Sequence, residues 1–148
     1  MNLKVKKLHP DAKLPSRAKT GDAGYDIYSL ESIDIKPSQT VKIRTGICVQ
    51  LSHNPIIPEK IETYCIRFVE RSSVGSKGIG LRAGLIDEGY IGELIVCLTN
   101  HGTTDYQILK GDKIAQFIVQ KVETPHVVEV EELDTTDRGQ NGFGSTGK

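Results

Sequence analysis

Short apolar stretches separated by turn residues dominate the chain, and long runs with helical spacing are hard to find. Val41 and Ile43 alternate with Lys42 and Arg44, the period-two pattern of a strand with one buried face. Residues 61–69 are rich in β-branched and aromatic side chains and predict a second strand. Leu94-Ile95-Val96-Cys97-Leu98 is an unbroken apolar run and predicts a strand buried on both faces. Ile114–Val119 and Val127–Val130 predict two more. Turn residues fill the gaps at Gly21-Asp22, His53-Asn54-Pro55, Asp87-Glu88-Gly89 and Lys110-Gly111-Asp112. One short helix is predicted, near Ser72–Lys77. Many short strands at this spacing predict an all-β sandwich, barrel or jelly roll.

At 148 residues the chain fits one domain. A domain of this size buries about 68–70% of its unfolded surface, so it needs no disulfide or metal staple. Trp is absent and aromatics make up 5%, which predicts an aliphatic core. Cys48, Cys65 and Cys97 are odd in number with no Cys-x-x-Cys pair, and His9, His53, His101 and His126 are scattered. Neither a disulfide framework nor a zinc site is suggested. Lys+Arg and Asp+Glu are both 19, so overall basicity gives no reason to expect a nucleic-acid partner. The N-terminus lacks an apolar signal region, and no apolar run approaches ~18 residues. The expectation is an intracellular soluble protein, cytoplasmic or nuclear, with no membrane partner.

Glycine marks the regions where chemistry is expected. Residues 75–92 hold six of the 15 glycines, too many for ordinary strands. Just before them, Arg71-Ser72-Ser73-Val74-Gly75-Ser76-Lys77-Gly78 offers a guanidinium, hydroxyls and permissive backbone, either for phosphate or simply as a Ser-capped turn. It does not meet the Walker A spacing. Ala83-Gly84-Leu85-Ile86-Asp87-Glu88-Gly89-Tyr90 reads as a hairpin presenting one acid and one ring, with glycines that let a flat base approach the backbone. Lys110-Gly111-Asp112-Lys113-Ile114-Ala115-Gln116 reads as a tight turn into a strand. The last eleven residues, from Arg138 to Lys148, hold four glycines and little that can pack. Such a segment is either a frayed terminus or a closure over a phosphorylated ligand.

These stretches occur in a fixed order: Ala23-Gly24-Tyr25-Asp26, Arg71-Ser72-Ser73, Gly84 to Gly92, Gly111 to Gln116, and Arg138 to Gly147. Together they resemble the five ordered motifs of the deoxyuridine triphosphatase (dUTPase) family, from about Leu8 to the C-terminus. The resemblance implies an all-β dUTPase-like jelly roll, or β-clip, with one short helix. It implies one domain over 1–137 and a flexible Gly-rich tail over 138–148 that closes the active site. It implies a homotrimer with active sites at subunit interfaces. The implied reaction is Mg²⁺-dependent hydrolysis of dUTP to dUMP and pyrophosphate, which keeps uracil out of DNA and supplies dUMP for dTMP synthesis.

By position, the resemblance makes Asp87 the general base that primes a water for attack on the α-phosphorus. Tyr90 would pack under the deoxyribose, and the backbone of Gly84, Leu85 and Ile86 would read the uracil edge. Arg71, Ser72, Ser73 and Gln116 would hold phosphates, and Asp26 would reach the Mg²⁺ through water. From the tail, Phe143 would stack on uracil while Arg138, Gly144, Ser145 and Thr146 hold the terminal phosphates. Stacking of this kind is worth ~1–3 kcal/mol. Four features depart from the common family pattern: Glu70 where Pro is frequent, Ser73 where Gly is frequent, Asn141 before Phe143, and a longer segment over 52–60. None removes a group that the chemistry needs. A dCTP deaminase-like enzyme is the nearest alternative, but Cys97 stands where deaminases carry a Glu. A non-catalytic trimeric jelly-roll regulator is the other alternative, and it would not need the acid or the tail.

Overall fold

The computed structural model describes residues 1–52 and 62–140. Ten strands and one helical turn are present among them. They are β1 (Asn2–Lys7), β2 (Tyr25–Tyr28), β3 (Ile33–Ile35), β4 (Thr40–Ser52), β5 (Thr63–Val69), α1 (Ser72–Gly75), β6 (Ile79–Arg82), β7 (Leu85–Asp87), β8 (Glu93–Asn100), β9 (Tyr106–Ile108) and β10 (Lys113–Val122). One four-stranded sheet runs β1-β4-β8-β6 and a second runs β2-β10-β5-β7, with a two-stranded ribbon β3-β9 beside them. Every ladder among the described residues is antiparallel. The all-β expectation holds, and the helix falls inside the range expected for it.

Alternation along β4 does what the sequence predicts: Val41 and Ile43 are buried while Lys42 and Arg44 are exposed. Side chains from both sheets merge in one core that includes Ile27, Ile43, Ile47, Leu94, Val96 and Phe117. The core is mainly aliphatic, but its largest fully buried side chain is Phe117, which stacks on Tyr25 at 5.3 Å and meets Phe68 edge-on. Composition counts aromatics without saying where they sit, so it gives no sign of this central pair of phenylalanines.

Two strand expectations need correction. In β8 only alternate positions, Leu94, Val96 and Leu98, are deeply buried, while Ile95 and Cys97 are half-buried. The second face of this strand is not fully covered by the described residues. Val127–Val130 forms no strand: Val127 is 99% exposed and no ladder pairs the segment among the described residues. A strand needs a neighbour for its backbone groups, and regular structure here ends at Val122.

A bulge in β4 carries the fold toward the site. Pairing with β8 shifts register between Arg44 and Cys48, and Gly46 takes a positive φ of 70° there. A Cβ on Gly46 would sit 2.9 Å from the Ala12 side chain, so both conformation and space demand glycine. Glu93 fills the bulge, accepting from Gly46 N–H at 2.8 Å and pairing with Arg44 at 3.1 Å. At the other end of β8, buried Asn100 donates to the carbonyls of Ile35 and Thr104 and accepts from Gly102 N–H, all at 2.8 Å. These bonds fix the ribbon against the sheet. Replacing Phe117 by Ala is expected to lower the unfolding free energy by about 3–5 kcal/mol, measured by urea denaturation at fixed protein concentration.

Candidate active site

The predicted site residues fall into two groups at opposite ends of β5. β7 pairs with β5 so that Cys65 opposes Asp87, Ile66 opposes Ile86 and Arg67 opposes Leu85, and Phe68 N–H donates to Gly84 carbonyl at 2.8 Å. Beyond Val69 the chain continues through Glu70 to Arg71, which stays extended at φ −79° and ψ 138° before α1 begins.

Arg71 is the hub of the first group. Its Nε donates to Asp26 Oδ1 at 2.8 Å and its Nη1 donates to Ser73 Oγ at 3.2 Å. Lys113 Nζ lies 2.6 Å from the other oxygen, Asp26 Oδ2. Asp26 is buried on β2, 7% exposed, so its charge needs these two partners. The hydrogen bond to Asp26 holds the Lys113 ammonium above its usual pKa, so it stays charged at neutral pH. Ser72 does not cap the helix: Arg71 occupies the N-cap position with no side-chain cap bond, and its carbonyl accepts from Val74 and Gly75. Both serine side chains are thereby left at the exposed surface, over the buried anchor Val74. Gln116 opposes Asp26 on β10 and donates through Nε2 to the Glu70 carbonyl at 3.1 Å. Gly24, Asp26, Arg71, Ser72 and Gln116 line a cavity of about 510 Å³.

The second group sits on β7 and the turn after it. β7 is an edge strand, so one side of its backbone pairs with β5 and the other carries no ladder among the described residues. Gly84, Leu85 and Ile86 thus present an open backbone edge to a planar hydrogen-bonding partner. Asp87 ends the strand and is exposed. Tyr90 N–H donates to Asp87 carbonyl at 3.0 Å, and Tyr90 Oη donates to Glu93 carbonyl at 3.0 Å. The ring folds over Gly92, where a Cβ would lie 2.5 Å from Tyr90 Oη. The expected hairpin is therefore corrected: β7 belongs to one sheet and β8 to the other, and the turn crosses between them.

One chain does not bring the two groups together. Asp87 lies opposite Cys65, six residues from Arg71 along extended chain, roughly 20 Å of backbone. Arg138 is exposed in the turn that ends the described residues. Phe143, Gly144, Ser145 and Thr146, the Asn141 departure, and most of the 52–60 segment lie outside the described residues.

Magnesium has one candidate contact, Asp26. Both its oxygens are occupied by cations, and no group of three or more His, Cys, Asp or Glu side chains among the described residues is placed to hold a metal. Each carboxylate oxygen keeps a lone pair for a metal-bound water. The arrangement fits a water-mediated contact with an ion carried by a ligand, and it does not fit direct ligation by Asp26.

Three residues with structural roles at the site are missed by sequence reasoning. Lys113 reads only as part of a turn into a strand, because its pairing with Asp26 exists only in the folded chain. Gly24 makes room for Gln116: a Cβ there would meet Gln116 Oε1 at 2.5 Å. Glu70, which the sequence marks only as a departure, accepts from Leu81 N–H at 3.1 Å and so ties the clamp to β6.

An arginine–serine–glutamine clamp beside an open strand edge that ends in a carboxylate defines an all-β protein suited to a phosphorylated ligand with a flat polar group. The family is narrower than that class. The dUTPase family model matches residues 10–147, and the chain belongs to the dUTPase family. It is 44% identical over 149 residues to a deoxyuridine 5'-triphosphate nucleotidohydrolase of Clostridioides difficile, covering 99% of this chain and 98% of that one. It is 40% identical to the same-named protein of Swinepox virus (strain Kasza), covering 99% of each. The dUTPase of Staphylococcus bacteriophage 80alpha, solved with dUpNHpp, superposes with a TM-score of 0.86 at 31% identity and 99% coverage of both chains. A mutant dUTPase of phage phi11 of S. aureus, described as revealing the coordination of a structural Mg(II) ion, superposes with a TM-score of 0.77 at 30% identity, covering 91% of this chain and 100% of that one. The fold is the dUTPase jelly roll, or β-clip, as the sequence implied.

Gly24→Ala is expected to displace the Gln116 amide and cost about one hydrogen bond, ~0.5–1.5 kcal/mol. The same substitution in a Gln116→Ala background should cost almost nothing further. Urea denaturation of the four variants in the cycle measures the coupling.

Proposed function

We propose that the chain hydrolyses dUTP to dUMP and pyrophosphate, with Mg²⁺ entering as part of the substrate on the triphosphate. The observation that carries this reading is the exposed Asp87 carboxylate at the end of an open backbone edge, beside Tyr90, in a chain that belongs to the dUTPase family. The uracil edge pairs with the free groups of Gly84, Leu85 and Ile86. Cytosine would leave those groups unmatched, and a hydrogen-bonding site of this kind discriminates by ~10⁴–10⁵. Tyr90 fills the space that a ribose 2′-hydroxyl would need.

Asp87 accepts a proton from a water as that water's oxygen bonds to the α-phosphorus. The bond from the α-phosphorus to the bridging oxygen breaks, and pyrophosphate leaves with the electron pair. Arg71, Ser72, Ser73 and Gln116 hold phosphate oxygens, so the protein's work is positioning and charge compensation. Asp26 touches the metal's water shell while holding Arg71 in place. From the tail over 138–148, Phe143 stacks on the base, and Arg138, Gly144, Ser145 and Thr146 take the terminal phosphates.

The same geometry supports a homotrimer with shared sites. A base and a phosphate clamp about 20 Å apart on one strand cannot meet on one nucleotide's α-phosphate. A neighbouring copy supplies the missing half. The half-buried face of β8 and the unpaired Val127–Val130 segment are apolar surfaces that such neighbours can cover. In the cell, the reaction removes a precursor of uracil in DNA and yields dUMP for dTMP synthesis. Among the described residues no helix is long and apolar enough to cross a membrane.

The deaminase alternative is not favoured: the family match is to dUTPases, and Cys97 cannot shuttle protons as a carboxylate does. A purely structural regulator has no use for the acid retained at Asp87. Asp87→Asn is expected to lower kcat by about 10²–10⁴ with the oligomer intact, read by pyrophosphate release and sedimentation. An unchanged rate removes the general-base assignment.

A further inference from the structure

Behind Arg71, on the side away from Gln116, lies a second cavity of about 280 Å³. Ser73, Lys77, Tyr106, Asp112 and Lys113 line it together with Arg71. Three cations thus face one carboxylate, a local excess of two positive charges in a chain whose total is zero. The acid is already engaged, because Asp112 Oδ2 accepts from Leu109 N–H at 2.8 Å. Lys77 Nζ rests over the Tyr106 ring, 5.6 Å from its centroid. The Tyr106 hydroxyl has no hydrogen-bond partner among the described residues. Burial, and then the nearby Asp112 carboxylate, push its pKa up, so the phenol keeps its proton and remains a donor.

We propose that this pocket is a binding site for a tetrahedral phosphoryl anion, held by Lys77, Lys113, Ser73 and the Tyr106 hydroxyl and joined to the nucleotide groove through Arg71. The donors converge from separate elements: the turn after α1, β9 and β10. Donors spread around a point in this way match oxygens that project in four directions better than they match a planar carboxylate. Charge supports the assignment, since the pocket holds more cationic groups than its own acids neutralise. The proposal rests on reading Arg71 as the phosphate clamp, because the guanidinium reaches both cavities. The anion has two candidate sources: the terminal phosphoryl group of a bound triphosphate, or free phosphate released by phosphoryl-transfer reactions.

The test is a calorimetric titration of orthophosphate into the full chain without nucleotide. Wild type should show a saturable site. Tyr106→Phe, which removes one oxygen and no packing volume, and Lys77→Gln should each weaken it by about tenfold with unchanged circular dichroism. No saturable binding, or equal affinity in wild type and both variants, overturns the proposal. Repeating the titration with a non-hydrolysable dUTP analogue bound distinguishes the sources. Loss of the phosphate signal assigns the pocket to the nucleotide's terminal group, and its persistence assigns it to the free ion; either supports the site. Hydrolysis of dUTP by the same samples tests the groove separately. A chain that binds phosphate in this variant-sensitive way but leaves dUTP intact keeps the pocket and loses the proposed activity.

Discussion

The ladder between β5 and β7 is the constraint on which the rest of the site depends. It fixes Asp87 opposite Cys65, while Arg71 leaves the same strand at its far end. The register cannot slip by one residue without turning Phe68 and Ile66 out of the core, so the separation is as firmly set as the core itself. What looks like an incomplete site in one chain is then the expected half of a shared one. The exposed edge, the acid and the ring are offered to one nucleotide, and the cationic clamp to another.

Charge organisation explains why the clamp is rigid enough to serve. A buried carboxylate between a guanidinium and an ammonium is costly to assemble and costlier to break. Asp26 therefore holds Arg71 and Lys113 in defined positions and leaves a net positive charge beside the groove. This balance suits a highly anionic ligand: two bare cations would repel each other, and a carboxylate with one partner would leave no surplus. Gly24 and Glu70 complete the frame by steering Gln116 and anchoring the turn to β6.

Much of this is legible in the sequence. Alternation announces β4, apolar density announces β5, β8 and β10, and Gly111 with Asp112 announces a tight turn that the structure closes from Asp112 N–H to Leu109 carbonyl. The ordered motifs mark the residues of both half-sites. Shorter strands such as β6, which contains Gly80, and three-residue β7 are hidden, because so few residues establish no period. Val127–Val130 misleads because its strand-like composition meets no partner among the described residues. The 20 Å division of the site is invisible for another reason: it depends on which strand β7 pairs with, and local sequence carries no information about that.

The most direct measurement mixes two inactive proteins. Arg71→Ala and Asp87→Asn chains, each lacking one half of the site, are unfolded together in equal amounts, refolded, and assayed for pyrophosphate release from dUTP. If neighbouring copies share sites, random assembly restores both wild-type groups at about a quarter of them, and activity returns to a similar fraction of wild type. A mixture as inactive as its two components would contradict the shared site and place both groups in a single chain's mechanism.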